Sequence, residues 1–301
     1  MPELPDLTVY VDALRARIVG QKLKSVSVRG ISLLKTWDPP IGHAQGREVV
    51  GIERLGKRVV VSLEGGLHLV IHLMIAGRFR WLLPDKKPPG RITQAVFGFE
   101  PGQLVLTEAG KKRRATLHLA RTSTLREHDR GGLEPLDSSF DAFAAAVTRE
   151  NRTLKRALTD PRLLSGVGNS YSDEILHAAG LSPVQRTANL SPEELQRLHG
   201  ATQSVLKHWI ERLRTHYGDK FPTGVTAFRD GMAVHGRYGQ PCPTCSGAVQ
   251  RIVFAEREHN YCPTCQTGGK LLRDRALSQL LRKDWPKSLE ELEGRRGAKA
   301  K

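Results

Sequence analysis

The sequence lacks four features, each of which would have indicated a particular class of protein. No apolar run is long enough for a transmembrane helix, and no signal-peptide pattern opens the chain. No internal repeat is present, and no cysteine lies outside residues 242–265. These absences argue against a membrane-spanning protein, a repeat protein and a disulfide-stabilised secreted domain, so we expect a cytoplasmic protein.

Acidic side chains are also scarce. Lys and Arg number 47 against 31 Asp and Glu, which gives a formal net charge of +16 at pH 7. An excess of this size predicts a polyanionic partner, and nucleic acid is favoured over an anionic membrane because no membrane-anchoring segment is visible. At 301 residues the chain is long enough for two or more domains, each with its own core.

The residue pattern changes along the chain. A first helix is predicted with Asp6 as its N-cap, because apolar residues recur at helical spacing from Leu7 onward. Residues 22–120 contain short alternating or β-branched runs separated by Gly and Pro, which predict a β-sandwich or barrel. Helical periodicity returns near residue 138, and one later helix opens with a capping box at residues 191–194. A β domain is therefore expected to precede an α domain.

The cysteines give the strongest local signal. They form two Cys-x-x-Cys pairs with sixteen residues between them. Four thiolates complete a tetrahedral zinc site with no open coordination position, so this metal would be structural. A redox-active dithiol is the alternative, but two pairs at this spacing fit zinc better. The intervening residues alternate like a β-hairpin with Glu256, Arg257 and Glu258 at its tip, and the predicted ligands are Cys242, Cys245, Cys262 and Cys265.

Three further stretches could contact phosphate, and each has a simpler explanation. The glycine-rich SGVGNS precedes a helical pattern, so it could bind phosphate through backbone amides, or it could be a tight turn capped by Asn169. Lys57 lies at a predicted strand start, where most lysines are solvated. The four consecutive cations at 111–114 could face phosphate, or nearly as well face solvent.

The chain opens with Met-Pro-Glu. If Met1 is removed, the secondary amine of Pro2 becomes the amino terminus beside the carboxyl of Glu3. An α-amino group titrates near pH 8, so a fraction is unprotonated at neutral pH and can attack a sugar carbon to form an iminium. A neighbouring carboxyl could transfer protons in such a reaction. Many proteins begin with Met-Pro by chance, so this motif is not decisive by itself.

Together these segments resemble the formamidopyrimidine-DNA glycosylase and endonuclease VIII family of base-excision repair enzymes. In order, the matching segments are PELP, GKR at 56–58, HLMIAGRF at 72–79, GVGNSYSDEIL, and HGRYGQPC followed by the cysteine module. Five motifs in this order are far more specific than any one of them. The resemblance implies an α+β multidomain fold with an N-terminal two-layer β-sandwich, a helix-two-turn-helix domain and a C-terminal zinc-ribbon finger.

The resemblance also implies the catalytic residues. Pro2 would attack the sugar of a damaged base flipped out of the duplex, with Glu3 supplying and accepting protons. The resulting iminium would allow β- and δ-elimination, which cut the strand on both sides of the lost base. Lys57 would donate the proton in β-elimination and bind phosphate, and Arg257 would serve δ-elimination and phosphate binding.

The residues implied to contact DNA match the family less closely. Asn169 would bind the phosphate next to the lesion, and Lys155 would also contact DNA. The glycine of the family's His-Leu-Gly-Met strand is Met74 here, and its intercalating methionine is replaced by Ile75, which we expect to act as an apolar wedge. The family's Arg-Phe wedge has no clear counterpart, because the cluster around Arg113 carries charge without an aromatic residue.

The segment that would cover a flipped base is short. Only residues 231–234 separate AFRD from HGRYG, so the long loop that covers 8-oxoguanine in some family members is expected to be absent. A pocket with few contacts to the base edge should be tolerant and should favour bases whose flipping costs little. We therefore expect saturated pyrimidines or formamidopyrimidines to be removed faster than 8-oxoguanine, with little dependence on the opposite base.

The expected domain boundaries are 1–133 for the catalytic β-sandwich, 134–230 for the helix-two-turn-helix domain, 231–267 for the zinc finger and 268–301 for a basic extension with one helix. We expect a monomer that acts on damaged double-stranded DNA, holds one structural zinc and associates with the nucleoid. A catalytically inactive DNA-binding or damage-sensing relative is the alternative. The pair Pro2 and Glu3, with Lys57, favours the enzyme, because a protein that only binds DNA needs no nucleophilic amino terminus.

Overall fold

The structure is a computed structural model, and it describes residues 1–225, 228–254, 257–273 and 285–292. The chain divides into two compact units. The first comprises Met1–Gly132 and Lys207–Ala227, and the second comprises Leu133–Leu206 and Phe228–Lys301. Within the described ranges, no helix combines the length and the apolar character needed to cross a membrane.

The first unit contains a two-layer β-sandwich preceded by one helix. One sheet has the strand order β1-β6-β7-β5 and the other β2-β3-β4-β8, and all neighbouring strands are antiparallel. The sequence left a sandwich and a barrel open, and two separate sheets decide for the sandwich. The elements are α1 (Leu4–Ile18), β1 (Ser25–Val28), β2 (Val49–Leu55), β3 (Arg58–Leu63), β4 (Leu67–His72), β5 (Gly77–Leu82), β6 (Thr93–Gly98), β7 (Gln103–Glu108) and β8 (Thr116–Arg121).

The core of this unit lies between the two sheets. Alternate residues of a strand point to the same face, and the inward face of β3 carries Val59, Val61 and Leu63. Leu104 and Leu106 of β7 in the other sheet belong to the same buried cluster, as expected for two packed layers. The apolar side of α1 completes this cluster with Leu7, Tyr10, Val11, Leu14 and Ile18.

Helix α1 begins earlier than the sequence pattern predicted. Its N-cap is Glu3, and Asp6 occupies the third helical position. The backbone N–H of Glu3 donates to Asp6 Oδ2 at 2.9 Å, and the Glu3 carboxylate accepts from the backbone N–H of Asp6. The prediction of Asp6 as the N-cap was wrong because an acid three residues inside a helix can complete a capping box as well as cap. The capping box fixes the carboxylate of Glu3, a residue that is 2% exposed.

The second unit begins with helices, as predicted. They are α2 (Phe140–Thr148), α3 (Leu154–Thr159), α4 (Asn169–Ala179) and the first part of α5 (Pro192–Tyr217), whose residues from Lys207 onward belong to the first unit. The predicted capping box of α5 is confirmed, since Ser191 Oγ accepts from the Glu194 N–H at 3.2 Å and the Glu194 carboxylate accepts from the Ser191 N–H at 3.0 Å. The N-cap of α4 is Gly168 and Asn169 is its first helical residue, so Asn169 does not cap this helix, although one of the two interpretations of SGVGNS supposed that it does. The extended backbone of Gly168 leads into the helix without a capping side chain.

The predicted hairpin of the cysteine module is also confirmed. Strands β9 (Gln250–Phe254) and β10 (Arg257–Tyr261) are antiparallel, and the short helix α6 (Pro263–Thr267) follows. Glu256, predicted at the hairpin tip, lies outside the described residues, as does most of the helix predicted over 271–285. Two parts of the extension pair with each other, because the Leu271 N–H donates to Lys287 O at 3.1 Å.

The loop that carries Ile75 ends at Gly77, and a close backbone contact of this glycine gives a first testable prediction. The Gly77 N–H donates to Leu73 O at 2.9 Å, and a Cβ at position 77 would lie 2.2 Å from that oxygen. Because backbone atoms must then shift, we expect Gly77→Ala to lower the free energy of unfolding by about 1–3 kcal/mol in urea titrations.

Gly200→Ala is the matched control for this glycine. Gly200 lies inside α5 and a Cβ there meets nothing within 4 Å, so alanine should stabilise the protein by about 0.5–1 kcal/mol. Equal unfolding midpoints for Gly77→Ala and the unmodified protein would contradict the close contact between residues 73 and 77.

Candidate active site and zinc centre

The amino terminus lies in a buried polar setting at the start of α1. Pro2 and Glu3 are both buried. Burial lowers the pKa of the α-amino group below its ordinary value, and although Glu3 opposes this effect, Arg78 and Lys57 add to it. A lower pKa enlarges the unprotonated, nucleophilic fraction at neutral pH. The amine belongs to Met1 in the full chain, and removal of Met1 would transfer it to Pro2.

The positive charge beside the amine comes from two residues. Lys57 lies in the turn between β2 and β3, directly after Gly56, whose φ of 60° suits the tight turn. Arg78 was not singled out from the sequence, although it lies in the quoted strand motif. Its guanidinium donates to the carbonyls of Ile75 at 2.9 Å and Gly77 at 2.7 Å, and also to Val225 O. Arg78 thus fixes the loop after β4 and adds charge near the amine.

That loop presents the predicted apolar wedge. Ile75 is 60% exposed, as a side chain that enters DNA must be. The preceding Met74 has a φ of 52°, a left-handed conformation that costs an L side chain about 1–2 kcal/mol and suits the glycine found in the family. The Met74 N–H donates to His72 Nδ1 at 3.0 Å. Burial, followed by the charges of Arg58 and Lys57, lowers the pKa of His72 to about 4, which keeps this acceptor neutral.

The cationic loop 111–114 connects β7 and β8. The Glu108 carboxylate accepts from the Arg114 N–H at 2.8 Å and from the Ala115 N–H, which anchors the end of the loop. The side chain of Arg113 is exposed, and its Nη2 donates to Arg91 O at 2.6 Å. The contact of Arg113 with DNA stays a prediction.

In the second unit, a buried carboxylate lies between a lysine ammonium and a histidine ring. Asp173 is fully buried, and its two oxygens contact Lys155 Nζ and, at 2.7 Å, His235 Nδ1. Burial by itself would raise the pKa of Asp173, but the attraction of Lys155 and the hydrogen bond from His235 outweigh it and lower that pKa. The cluster therefore stabilises an ionised carboxylate inside the protein.

Lys155 is buried, and its ammonium contacts the Asp173 carboxylate of this cluster. Only 2% of the residue is exposed, and its Nζ also donates to Asn169 O at 2.6 Å. The observed contacts make Lys155 a residue that positions Asn169. The prediction that Lys155 itself contacts DNA finds no support in them and stays a prediction.

Helix α4 joins the remaining elements of the second unit. Asn169 Nδ2 donates to Glu258 O at 2.8 Å, next to Arg257 at the start of β10. The Glu174 carboxylate accepts the backbone N–H groups of residues 233–235 at 2.6, 3.0 and 2.9 Å. Sequence reasoning missed the roles of Asp173 and Glu174, although both lie in the quoted GVGNSYSDEIL. Acidic side chains buried in a helix need such partners, because an unpaired buried charge is costly.

The four cysteines converge as predicted. All four sulfur atoms lie within 4.8 Å of one another, with 3.9 Å between Cys242 and Cys265 and 3.3 Å between Cys245 and Cys262. A tetrahedral site with Zn–S bonds of about 2.3 Å requires sulfur atoms about 3.8 Å apart, so the donor set fits zinc. His177 Nε2 lies 3.2 Å from Cys242 Sγ, where it can donate a hydrogen bond that orients the thiolate.

Family models match the β-sandwich, the helical domain and the zinc ribbon of this chain. Residues 1–129 match the formamidopyrimidine-DNA glycosylase N-terminal domain, residues 132–219 its H2TH domain, and residues 239–268 the zinc finger found in FPG and IleRS. A formamidopyrimidine-DNA glycosylase of Thermus thermophilus is 35% identical over 278 residues, which cover 89% of this chain and all of the relative. An uncharacterised formamidopyrimidine-DNA glycosylase-like protein of Mycobacterium tuberculosis is 42% identical over 151 residues, covering 50% of this chain and 94% of the relative.

Solved structures of formamidopyrimidine-DNA glycosylases match the same architecture. The crystal structure of the MutM (Fpg) protein from Thermus thermophilus superposes with a TM-score of 0.75 at 34% identity, covering 88% of this chain and 98% of that one. The Lactococcus lactis Fpg bound to DNA with an oxidised pyrimidine gives a TM-score of 0.78 at 26% identity, covering 88% of this chain and all of that one.

The β-sandwich with its buried amino terminus, the H2TH helices and the four-thiolate ribbon define a zinc-containing DNA glycosylase of base-excision repair. The chain belongs to the formamidopyrimidine-DNA glycosylase (Fpg, or MutM) family, in which abasic-site lyase activity accompanies base removal.

The zinc site predicts a loss of metal on substitution of one ligand. We expect Cys262→Ser to release zinc and to lose the β9–β10 hairpin, because the ribbon has a very small core apart from its metal. Metal analysis and hydrogen exchange of the hairpin amides would measure both effects. Thr244→Ala, which changes an exposed residue between two of the ligands, should keep its zinc. A folded, fully active Cys262→Ser protein without zinc would contradict the structural role.

The buried carboxylate predicts a large effect on stability. Asp173→Asn keeps the shape but leaves the ammonium of Lys155 buried without a counter-charge, so we expect a loss of about 3–5 kcal/mol in urea unfolding. The double variant Lys155→Met with Asp173→Asn should recover part of that loss. Asp137→Asn, which removes an exposed carboxylate, is the control. An Asp173→Asn protein as stable as this control would show that the cluster is not charged.

Proposed function

We propose that this glycosylase works through the amine of Pro2, once Met1 is removed, on oxidised or ring-opened bases. The observation that carries the proposal is the buried amino terminus: burial lowers the pKa of the α-amino group of Met1, Arg78 and Lys57 add to this effect, and Glu3 opposes it. The unprotonated amine attacks C1′ of an extruded nucleotide, a C1′–N bond forms, and the glycosidic bond breaks. The amine nitrogen loses its proton and the departing base takes up one, and the ring oxygen takes a second proton from Glu3 as the sugar opens to an iminium.

The lyase steps follow from that iminium. It acidifies the C2′ protons, and loss of one of them expels the 3′ phosphate in β-elimination. We assign the protonation of this departing group to Lys57, whose ammonium lies near the amine. A second elimination expels the 5′ phosphate, and we assign binding of that phosphate to Arg257 at the start of β10.

Binding of damaged duplex DNA is assigned to both units. Asn169, positioned by Lys155, would bind the phosphate beside the lesion, and Ile75 would enter the duplex where the base has left. Arg113 and its neighbours would add phosphate contacts. The Lactococcus lactis relatives bound to DNA with an oxidised pyrimidine or with Fapy-dG support this substrate class.

The chain is further proposed to act as a monomer in the cytoplasm, associated with the nucleoid through DNA. The domain boundaries proposed for it remain 1–133, 134–230, 231–267 and 268–301. The competing function is that of a catalytically inactive relative that only binds damaged DNA. The buried, electrostatically tuned amine favours the enzyme, because binding alone gives no reason to lower the pKa of an amino terminus.

Borohydride trapping tests the nucleophile. Reduction of the iminium should give a covalent adduct on abasic DNA, and peptide mass analysis should place it at Pro2. Pro2→Gly, which keeps a primary amine, should retain weak trapping. A control protein with an uncleaved N-terminal extension keeps every side chain and should trap nothing.

Two results would contradict the proposal in different ways. If the extended protein traps as well as the processed one, another amine is the nucleophile. If the processed protein binds abasic DNA tightly but yields neither an adduct nor a strand cut, the chain is the inactive relative.

A further inference from the structure

Phe228 is an exposed aromatic residue in a fixed position. It is 69% exposed, yet its ring lies nearly parallel to the imidazole of His235, with 5.7 Å between the centroids and 15° between the planes. Gly236, with a φ of 73°, lies against the ring, and a Cβ there would come within 2.5 Å of Phe228 Cδ1. The ring therefore packs on His235 and on bare backbone, and most of its surface remains accessible.

His235, on which this ring lies, is held in place by hydrogen bonds from its side chain and its backbone. His235 Nδ1 is hydrogen-bonded to the buried carboxylate of Asp173, which Lys155 neutralises. The backbone N–H of His235 donates to the Glu174 carboxylate at 2.9 Å. Helix α4 thus holds His235 through both its side chain and its backbone, so the ring above it is pre-oriented and loses little entropy when a ligand stacks on it.

We propose that Phe228 is a stacking platform for the base of the extruded nucleotide and helps to decide which lesions are removed. The inference rests on the proposed function, because it takes Asn169 as the residue that binds the neighbouring phosphate. A continuous series of contacts joins Asn169 to the platform: Lys155 Nζ contacts both Asn169 O and the Asp173 carboxylate. The same carboxylate is hydrogen-bonded to His235, on which the Phe228 ring lies, so the phosphate site and the platform belong to one connected cluster. Aromatic side chains that bind unpaired bases act through such stacking.

Stacking on an aromatic ring favours planar bases over puckered ones. Formamidopyrimidines and 8-oxoguanine keep a planar ring that can cover Phe228, whereas a ring-saturated pyrimidine is puckered and gains less. An abasic sugar has no base and gains nothing. The short segment 231–234 leaves the base edge with few partners, so the face of the base becomes the main surface for recognition. Among the lesions favoured on sequence grounds, formamidopyrimidines are therefore expected to benefit most.

Single-turnover kinetics on matched duplexes test this platform in the full-length, zinc-loaded protein. The variants are Phe228→Ala, Phe228→Leu, which keeps apolar bulk without a flat ring, and Phe228→Trp, which restores stacking. The substrates carry formamidopyrimidine, 8-oxoguanine, dihydrouracil or a preformed abasic site. We expect Ala and Leu to slow excision of the planar lesions about tenfold or more, dihydrouracil clearly less and abasic cleavage not at all, with Trp close to the unmodified protein.

Binding gives a readout that needs no chemistry. The affinity of Phe228→Ala for a duplex with a mispaired planar lesion should fall, while its affinity for a duplex with a stable abasic analogue should not. Because Phe228 is mostly exposed, zinc content and thermal midpoint should be unchanged. Equal losses on all substrates, including abasic DNA, or no loss on any, would overturn the platform. An unmodified protein without excision activity would refute the proposed function, and the two binding affinities would then still decide for or against the platform.

Discussion

The second unit depends on two adjacent carboxylates buried in one helix. Asp173 and Glu174 lie on α4 where water cannot solvate them, so each must find its partners within the protein. Asp173 takes Lys155 and His235, and Glu174 takes three backbone N–H groups of residues 233–235. These partners come from distant parts of the sequence, so satisfying two charges brings the segment before the ribbon to a defined place on α4.

The same helix also contacts the hairpin and the metal site. Its first residue, Asn169, binds a carbonyl of β10, and His177 near its other end can donate to a zinc thiolate. The four-thiolate site does no chemistry, because it has no open coordination position. Its contribution is to hold a hairpin that has too small a core to fold by itself, and thereby to place Arg257 at the start of β10.

In the first unit, the main electrostatic effect is on the buried amino terminus. Burial lowers the pKa of the α-amino group of Met1, and the nearby cations Arg78 and Lys57 act in the same direction, while Glu3 opposes them. The capping box of α1 serves this arrangement as well, because it fixes the Glu3 carboxylate through Asp6. The residues proposed to carry the reaction therefore lie at the start of a helix whose capping box includes Glu3.

Local spacing in the sequence determined much of this protein. The change from β to helical structure, the capping box at Ser191, the hairpin and the four-cysteine site all depend on residues a few positions apart, or on two tight turns, and all were predicted. The first cap was misplaced at Asp6 because Glu3 and Asp6 share one box. Only the tertiary structure decided that Lys155 is buried, that Asp173 and Glu174 hold residues 233–235, and that Phe228 lies on His235. The physical reason is that burial and charge pairing depend on which distant segments meet: the hydrogen bond from His235 to Asp173 spans 62 positions, and no local pattern records such a contact.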